Sequence, residues 1–110
     1  KSHRTSTFQF LLLIIPSIIH VLLGWLTFPT RIHRWAKTYA PTTKFIVTGH
    51  THHAGIWKRE DRVIINTGCF GFPSHPRAVL IDECKLTVYK LQKKKNIYSL
   101  GKICASWNLR

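Results

Sequence analysis

The chain has 110 residues, 45% of them hydrophobic, and carries 17 Lys and Arg against 4 Asp and Glu, a formal net charge of +13. This length allows one domain with a small core, and the apolar and aromatic content excludes disorder for most of the chain. The acidic residues stand in two adjacent pairs, Glu60-Asp61 and Asp82-Glu83. A mechanism that needs several dispersed carboxylates is therefore incomplete in this chain.

The chain begins with Lys1 and contains no Met, which we interpret as a processed protein or a fragment. Its three cysteines, Cys69, Cys84 and Cys104, include no CxxC spacing. An odd number of cysteines without regular spacing is not typical of a disulfide framework. A reducing compartment fits this cysteine usage better.

The N-terminal segment is apolar: residues 5–30 contain no charged side chain, and residues 8–28 are almost wholly hydrophobic. About 20 apolar residues are enough for a helix to cross a bilayer. The alternative is an apolar helix of a larger soluble protein, buried or docked on a surface and kinked at Pro16. The sequence leaves both interpretations open.

A second helix is predicted over residues 31–40, because Ile32, Trp35, Ala36 and Tyr39 recur at helical spacing. Pro41 ends it. Its outward face is basic and is a candidate for contact with phosphate or lipid head groups, although a solvated face is the commoner explanation. By the positive-inside tendency, these basic residues place the following chain in the cytoplasm. They are Arg31, Arg34 and Lys37.

Beyond residue 43 the hydrophobic pattern changes to that of short strands. Runs rich in β-branched residues, separated by turn residues, predict one strand followed by two hairpins. The turns are placed at residues 59–61 and 82–85, and residues 93–110 are interpreted as a basic tail. The predicted strands are residues 44–48, 56–58, 62–66, 78–81 and 86–91.

The most informative segment is Gly49-His50-Thr51-His52, which directly follows the first predicted strand. Neutral imidazole is a common ligand of divalent first-row metals. Two histidines two residues apart can turn toward the same space, and the preceding glycine lets the backbone pass close to an ion. Taken alone, such a pair is more often two ordinary polar loop residues.

The run from residue 45 to residue 70 resembles the last motif of the calcineurin-like metallophosphoesterases. That family has an apolar strand, Gly-His-x-His, a short hairpin and a strand that ends in Asn-Thr-Gly. Here Gly49, His50 and His52 are followed, in the same order and at short spacing, by Asn66-Thr67-Gly68. The resemblance covers about residues 44–91, which is less than half of the chain.

The resemblance implies an α/β fold, namely the C-terminal portion of a layered α/β/β/α metallophosphoesterase sandwich preceded by an apolar helical segment. It divides the chain into three parts. Residues 1–43 are an inserted or membrane-docking helical segment, residues 44–92 are the C-terminal β portion of the phosphoesterase domain, and residues 93–110 are the tail.

The resemblance also implies a centre of two divalent metal ions, manganese, iron or zinc, that hydrolyses a phosphoester substrate. His50 and His52 would each ligate one ion. Two such ions clamp the phosphate and lower the pKa of a bound water. His53, Gly49 and Asn66 are candidates for positions next to the ligands or on the substrate side. No catalytic residue is assigned.

The earlier motifs of the family, Asp-x-His, Gly-Asp-x-x-Asp and Gly-Asn-His-Asp/Glu, are absent. The chain is therefore interpreted as a C-terminal fragment that lacks most of the metal ligands and is inactive alone. Some members of the family carry apolar helices before the last motif. A helix of that kind in residues 8–39 would hold a cytoplasmic enzyme at a membrane surface, with the basic residues at the head groups.

Two other functions compete with this interpretation. The net charge of +13 favours a small nucleic-acid-binding protein, but the basic residues are scattered and no known nucleic-acid module is recognisable. The third candidate is a protein with one membrane span and a cytoplasmic interaction domain.

Overall fold

The computed structural model describes residues 7–49, 53–70 and 75–109, with side chains from residue 14 onward. It is a mixed α/β structure that begins with an apolar helix, as predicted, and it divides into two compact units, Lys1–Pro41 and Thr42–Arg110. The elements in chain order are α1 (Thr7–Tyr39), β1 (Phe45–Thr48), β2 (Gly55–Arg59), β3 (Arg62–Asn66), β4 (Arg77–Ile81), β5 (Lys85–Lys94) and β6 (Ile97–Asn108).

The first unit contains one continuous helix of 33 residues, so the prediction of two separate helices is wrong. Pro29 lies inside α1, where its missing N–H would normally interrupt the backbone ladder. Side chains supply hydrogen bonds in the preceding turn. The Thr27 hydroxyl donates to the carbonyl of Leu23 at 2.8 Å, and the Arg31 guanidinium donates to that of Gly24 at 3.0 Å. These bonds are additional to the backbone ladder, and α1 continues through Pro29 as one helix.

The first sheet of the second unit has the strand order β1-β3-β2. Strand β1 pairs parallel with β3, and β2 pairs antiparallel with it. All five residues of β3 are buried, as expected for a central strand covered on both faces. The hairpin turn between β2 and β3 is Glu60-Asp61, where Glu60 has a positive φ of 53°. The predicted strand and first hairpin are thus confirmed.

The second sheet is antiparallel with the order β4-β5-β6. Its first turn is held by the Asp82 carboxylate, which accepts hydrogen bonds from the backbone N–H groups of Cys84 (2.9 Å) and Lys85 (2.8 Å). The second predicted hairpin is confirmed by the pairing of β4 with β5, whose register runs from Arg77 opposite Lys90 to Ile81 opposite Leu86.

Residues 93–110 are not a tail. They form the end of β5 and the 12-residue strand β6, which pairs along nearly the whole of β5. The turn between them is Lys95-Asn96, with φ angles of 48° and 63°, a two-residue hairpin loop. Because this turn contains neither glycine nor proline, the composition did not indicate it. Residues 91–100 extend beyond the pairing with β4 as a two-stranded ribbon, called the ribbon below.

The hydrophobic core of the second unit is shared by its two sheets. Its centre consists of Val63 and Ile65 from β3 and Leu86 and Val88 from β5. Full burial of one such side chain contributes about 1.5–3 kcal/mol. The side chains packed around this centre are Phe45, Ile56, Val79, Cys104 and Trp107. The apolar faces of the two sheets therefore lie against each other.

Candidate functional site

The two halves of the sequence motif meet at one edge of the first sheet. Because β1 and β3 are parallel and Thr48 lies opposite Asn66, both strands end at the same level. The backbone N–H of Thr67 donates to the carbonyl of Thr48 at 2.8 Å, and the Thr67 hydroxyl donates to the same carbonyl at 3.2 Å. We call this edge, formed by residues 48–49, 53–55 and 66–68, the carboxyl edge.

Gly49 occupies a crowded position on the carboxyl edge. A Cβ atom at this residue would lie 3.0 Å from the Thr67 hydroxyl oxygen and 3.8 Å from the carbonyl oxygen of Gly68. A larger residue would force the Thr67 side chain to shift by a few tenths of an ångström. The sequence predicted that Gly49 lets the backbone pass close to an ion. In the structure, its lack of a side chain lets the backbone after β1 approach Thr67.

Asn66 shapes the second loop. The residue is fully buried, and its side-chain carbonyl oxygen accepts a hydrogen bond from the backbone N–H of Gly68 at 2.8 Å. This is the turn that an asparagine side chain forms with the backbone two residues ahead. Gly68 has a positive φ of 73°, which suits glycine. The buried Asn66 side chain therefore stabilises the turn of the Asn-Thr-Gly loop.

The two predicted metal ligands, His50 and His52, lie outside the described residues, as does Thr51. The structure describes the chain up to Gly49 and again from His53. Gly55, the first residue of β2, lies opposite Asn66. The described residues that flank this segment, Gly49 on one side and Gly55 on the other, therefore lie at the same edge.

His53 is exposed at this edge, and its ring centroid lies 5.9 Å from that of Trp57. The indole of Trp57 extends across the backbone of Gly55, where an added Cβ would lie only 2.5 Å from the ring. Sequence reasoning did not single out Trp57. The pairing of a glycine with a tryptophan two residues later on one strand is the signal that could have identified this arrangement.

Sequence reasoning also missed a cluster beside the Asn-Thr-Gly loop. The ring of Phe70 lies 5.0 Å from that of Tyr98 on the ribbon, and the Lys93 ammonium lies 5.6 Å from the centroid of the Tyr98 ring. Phe70 is 66% exposed. The contact joins residues 28 positions apart in the sequence, so the strand pattern gave no signal for it.

The acidic residues lie away from the carboxyl edge. Glu60-Asp61 forms the opposite end of the β2–β3 hairpin, at least five residues from Asn66, which is about 17 Å along a strand. Asp82-Glu83 follows β4, whose first residue, Arg77, is the one bonded to the Thr67 carbonyl. Both pairs are therefore separated from the motif by the length of a strand.

Among the described residues, no group of three or more His, Cys, Asp or Glu side chains is placed to hold a metal ion. The fit of this chain to a metal centre is consequently partial. A pair of dications needs carboxylate ligands to balance its charge, and the described part of the carboxyl edge offers a single imidazole, that of His53. Cys69, which follows the loop, is partly buried and is in no disulfide.

The basic residues Arg31, Arg34 and Lys37 are exposed on α1, in the other unit. A hollow of about 240 Å³ lies at the end of the first sheet opposite the carboxyl edge. It is lined by Lys44, Lys58, Asp61, Val63 and Trp107, and it contains none of the predicted site residues.

No protein-family profile and no curated protein sequence matches the chain. Among solved structures, the chain is similar to vacuolar protein sorting 29 from Cryptosporidium parvum, with 13% identity and a TM-score of 0.45. The similarity covers 73% of this chain and 44% of that chain, so the chain spans less than half of that relative. Vps29 has a calcineurin-like metallophosphoesterase fold. At this TM-score the likeness carries no argument about function, which has to be argued from the residues.

Proposed function

We propose that this chain is the C-terminal portion of a calcineurin-like metallophosphoesterase and that it supplies His50 and His52 to a dinuclear metal centre. One observation carries the proposal. The parallel pairing of β1 with β3 brings Gly49, the first residue of Gly-His-x-His, and the Asn-Thr-Gly loop to one sheet edge. Sequence spacing alone does not require this arrangement. Two strands that begin 17 residues apart can also pair antiparallel, or they can belong to different sheets.

The proposed roles follow from the chemistry of the residues at the edge. His50 and His52 supply neutral imidazole nitrogens to the ions. Gly49 allows the backbone after β1 to lie against Thr67, and Asn66 fixes the turn that follows β3. When bound, the metal pair polarises the phosphoester and supplies a hydroxide at neutral pH. The carboxylates that balance its charge come from elsewhere in the complete protein.

The proposal is tested by titrating the chain with Mn²⁺ and Zn²⁺ in an isothermal calorimeter. Loss of one imidazole ligand should weaken binding at least tenfold, since changes to residues that merely support metal ligands already weaken it 10–100-fold. His50→Ala and His52→Ala are the test variants. His75→Ala is the matched control, because His75 is exposed in a different loop. Equal binding by all four proteins would contradict the proposal.

The same proteins separate the phosphoesterase from the nucleic-acid alternative. A protein that binds phosphate backbones by charge alone should bind a duplex oligonucleotide without metal, with an affinity that falls steeply as salt rises. His50→Ala and His52→Ala should leave such binding unchanged, because each replaces an uncharged side chain with another uncharged side chain. Strong binding of this kind, together with no metal binding, would favour the alternative.

A further inference from the structure

Helix α1 presents two different faces along its apolar half. Seven of the described side chains in this half are large, apolar and about half-exposed or more, and at 100° per residue they cover an arc of roughly 200°. This arc is wider than the stripe of about 100° that a helix of a soluble protein needs to cover a core. The residues of this apolar face are Ile15, Ile18, Ile19, Val21, Leu22, Leu23 and Leu26.

The remaining arc is a narrow polar stripe. Ser17, His20, Thr27 and Arg31 recur at spacings of three, seven and four residues, which places them within about 80° of one another on the helix. All four are exposed. Gly24 lies on the same stripe, and its carbonyl accepts the hydrogen bond of the Arg31 guanidinium at 3.0 Å. The bond directs the charged group of Arg31 along the stripe toward the N-terminus.

The charge of the helical unit indicates what covers the apolar face. Residues 1–41 contain five Lys and Arg and no Asp or Glu, and the first acidic residue of the chain is Glu60. Arg31, Arg34 and Lys37 are exposed on the last turns of α1. A wide apolar face next to an unbalanced basic end is complementary to a bilayer with anionic head groups.

Within the described residues, α1 is the one helix long and apolar enough to cross a membrane, from Ile14 to Tyr39. The polar stripe argues against crossing. In a spanning helix the imidazole of His20 and the guanidinium of Arg31 would both face hydrocarbon at or near the depth of the apolar residues, which is costly. In a helix that lies in the plane of the interface, the same stripe faces water.

We propose that α1 docks on an anionic membrane surface with its axis in the plane of the bilayer, its apolar face in the acyl region and its polar stripe toward water. This anchor is independent of the metal chemistry proposed above. It holds the second unit beside the head groups of the same membrane.

The test is flotation of the full chain with vesicles of phosphatidylcholine containing 30% phosphatidylglycerol, compared with phosphatidylcholine alone, followed by alkaline carbonate extraction. We expect binding to the anionic vesicles, weaker binding at high salt, and release by carbonate. Retention after carbonate would show a span. Absence of binding to both vesicle types would show that a membrane surface does not cover the face. Either result would overturn the proposal.

A matched pair of variants tests the orientation. Leu22 lies at the centre of the apolar face and His20 lies on the polar stripe, only two residues away. Leu22→Gln should weaken vesicle binding about tenfold, because one large apolar side chain no longer enters the acyl region. His20→Gln should leave binding unchanged. Both residues are exposed, so neither variant disturbs packing within the helix. Equal effects of the two variants would contradict the in-plane orientation.

Discussion

Strand β3 and the ribbon are both parts of β-hairpins, but their surroundings differ. Every residue of β3 is buried, whereas residues 92–100 of the ribbon are all exposed. Strand β3 has a partner on each side and contributes to the core, while the ribbon has only its own two strands. The stability of the second unit therefore depends more on β3 than on the ribbon, and the ribbon is a surface whose side chains are available for contacts with other molecules.

The same substitution at the two places should give the largest contrast. Ile65→Ala removes a fully buried side chain from the core cluster and should lower the free energy of unfolding by about 2–5 kcal/mol. Ile97→Ala on the ribbon, where the side chain is 70% exposed, should change it by less than about 0.5 kcal/mol. Urea denaturation measures both. Similar costs for the two would show that the ribbon is buried against something in solution.

A smaller effect is expected at the end of β3. Asn66→Ala removes the acceptor for the Gly68 N–H and should cost about 1–3 kcal/mol, because a buried donor loses its partner. The control is Asn108→Ala at the exposed end of β6, which should be nearly neutral. If Asn66→Ala were equally neutral in urea denaturation, the side chain would not be what shapes the loop.

A small change in stability is also expected at the ribbon turn. It should be stabilising, whereas the substitution at Asn66 should be destabilising. Asn96 has a φ of 63°, and glycine is favoured at the second position of such a two-residue turn. Asn96→Gly should stabilise the ribbon by less than about 1 kcal/mol and slow amide hydrogen exchange over residues 91–100. Asn96→Ala should accelerate that exchange. The opposite pattern would mean that the ribbon is held by contacts other than its turn.

Residues with strong local patterns could be predicted from the sequence. The apolar runs at residues 44–48 and 62–66 defined β1 and β3, and Glu60-Asp61 and residues 82–85 marked the turns. Strand β6 was missed because Lys95-Asn96 forms its turn through positive φ angles rather than through glycine. The continuity of α1 was missed because the change from apolar to basic residues at Arg31 was interpreted as a boundary, whereas the helix runs through it and through Pro29.

The candidate site was predictable in part. The resemblance identified Gly49, Asn66 and the two histidines, and the structure places the first two at one edge. The roles of His50 and His52 stay a prediction. The contact of Phe70 with Tyr98 depends on the path of the ribbon, which follows from long-range pairing and therefore had no local signal.

The proposed function requires that a metal ion binds at the carboxyl edge. It is tested most directly by adding substoichiometric Mn²⁺ to the ¹⁵N-labelled chain and recording which backbone amide signals broaden, since paramagnetic broadening falls steeply with distance from the ion. The account predicts early loss of the amide signals of Gly49, His53, Thr67 and Gly68, while those of Asp61 and Glu83 persist. Broadening that begins at the two acidic turns and spares the carboxyl edge would contradict it.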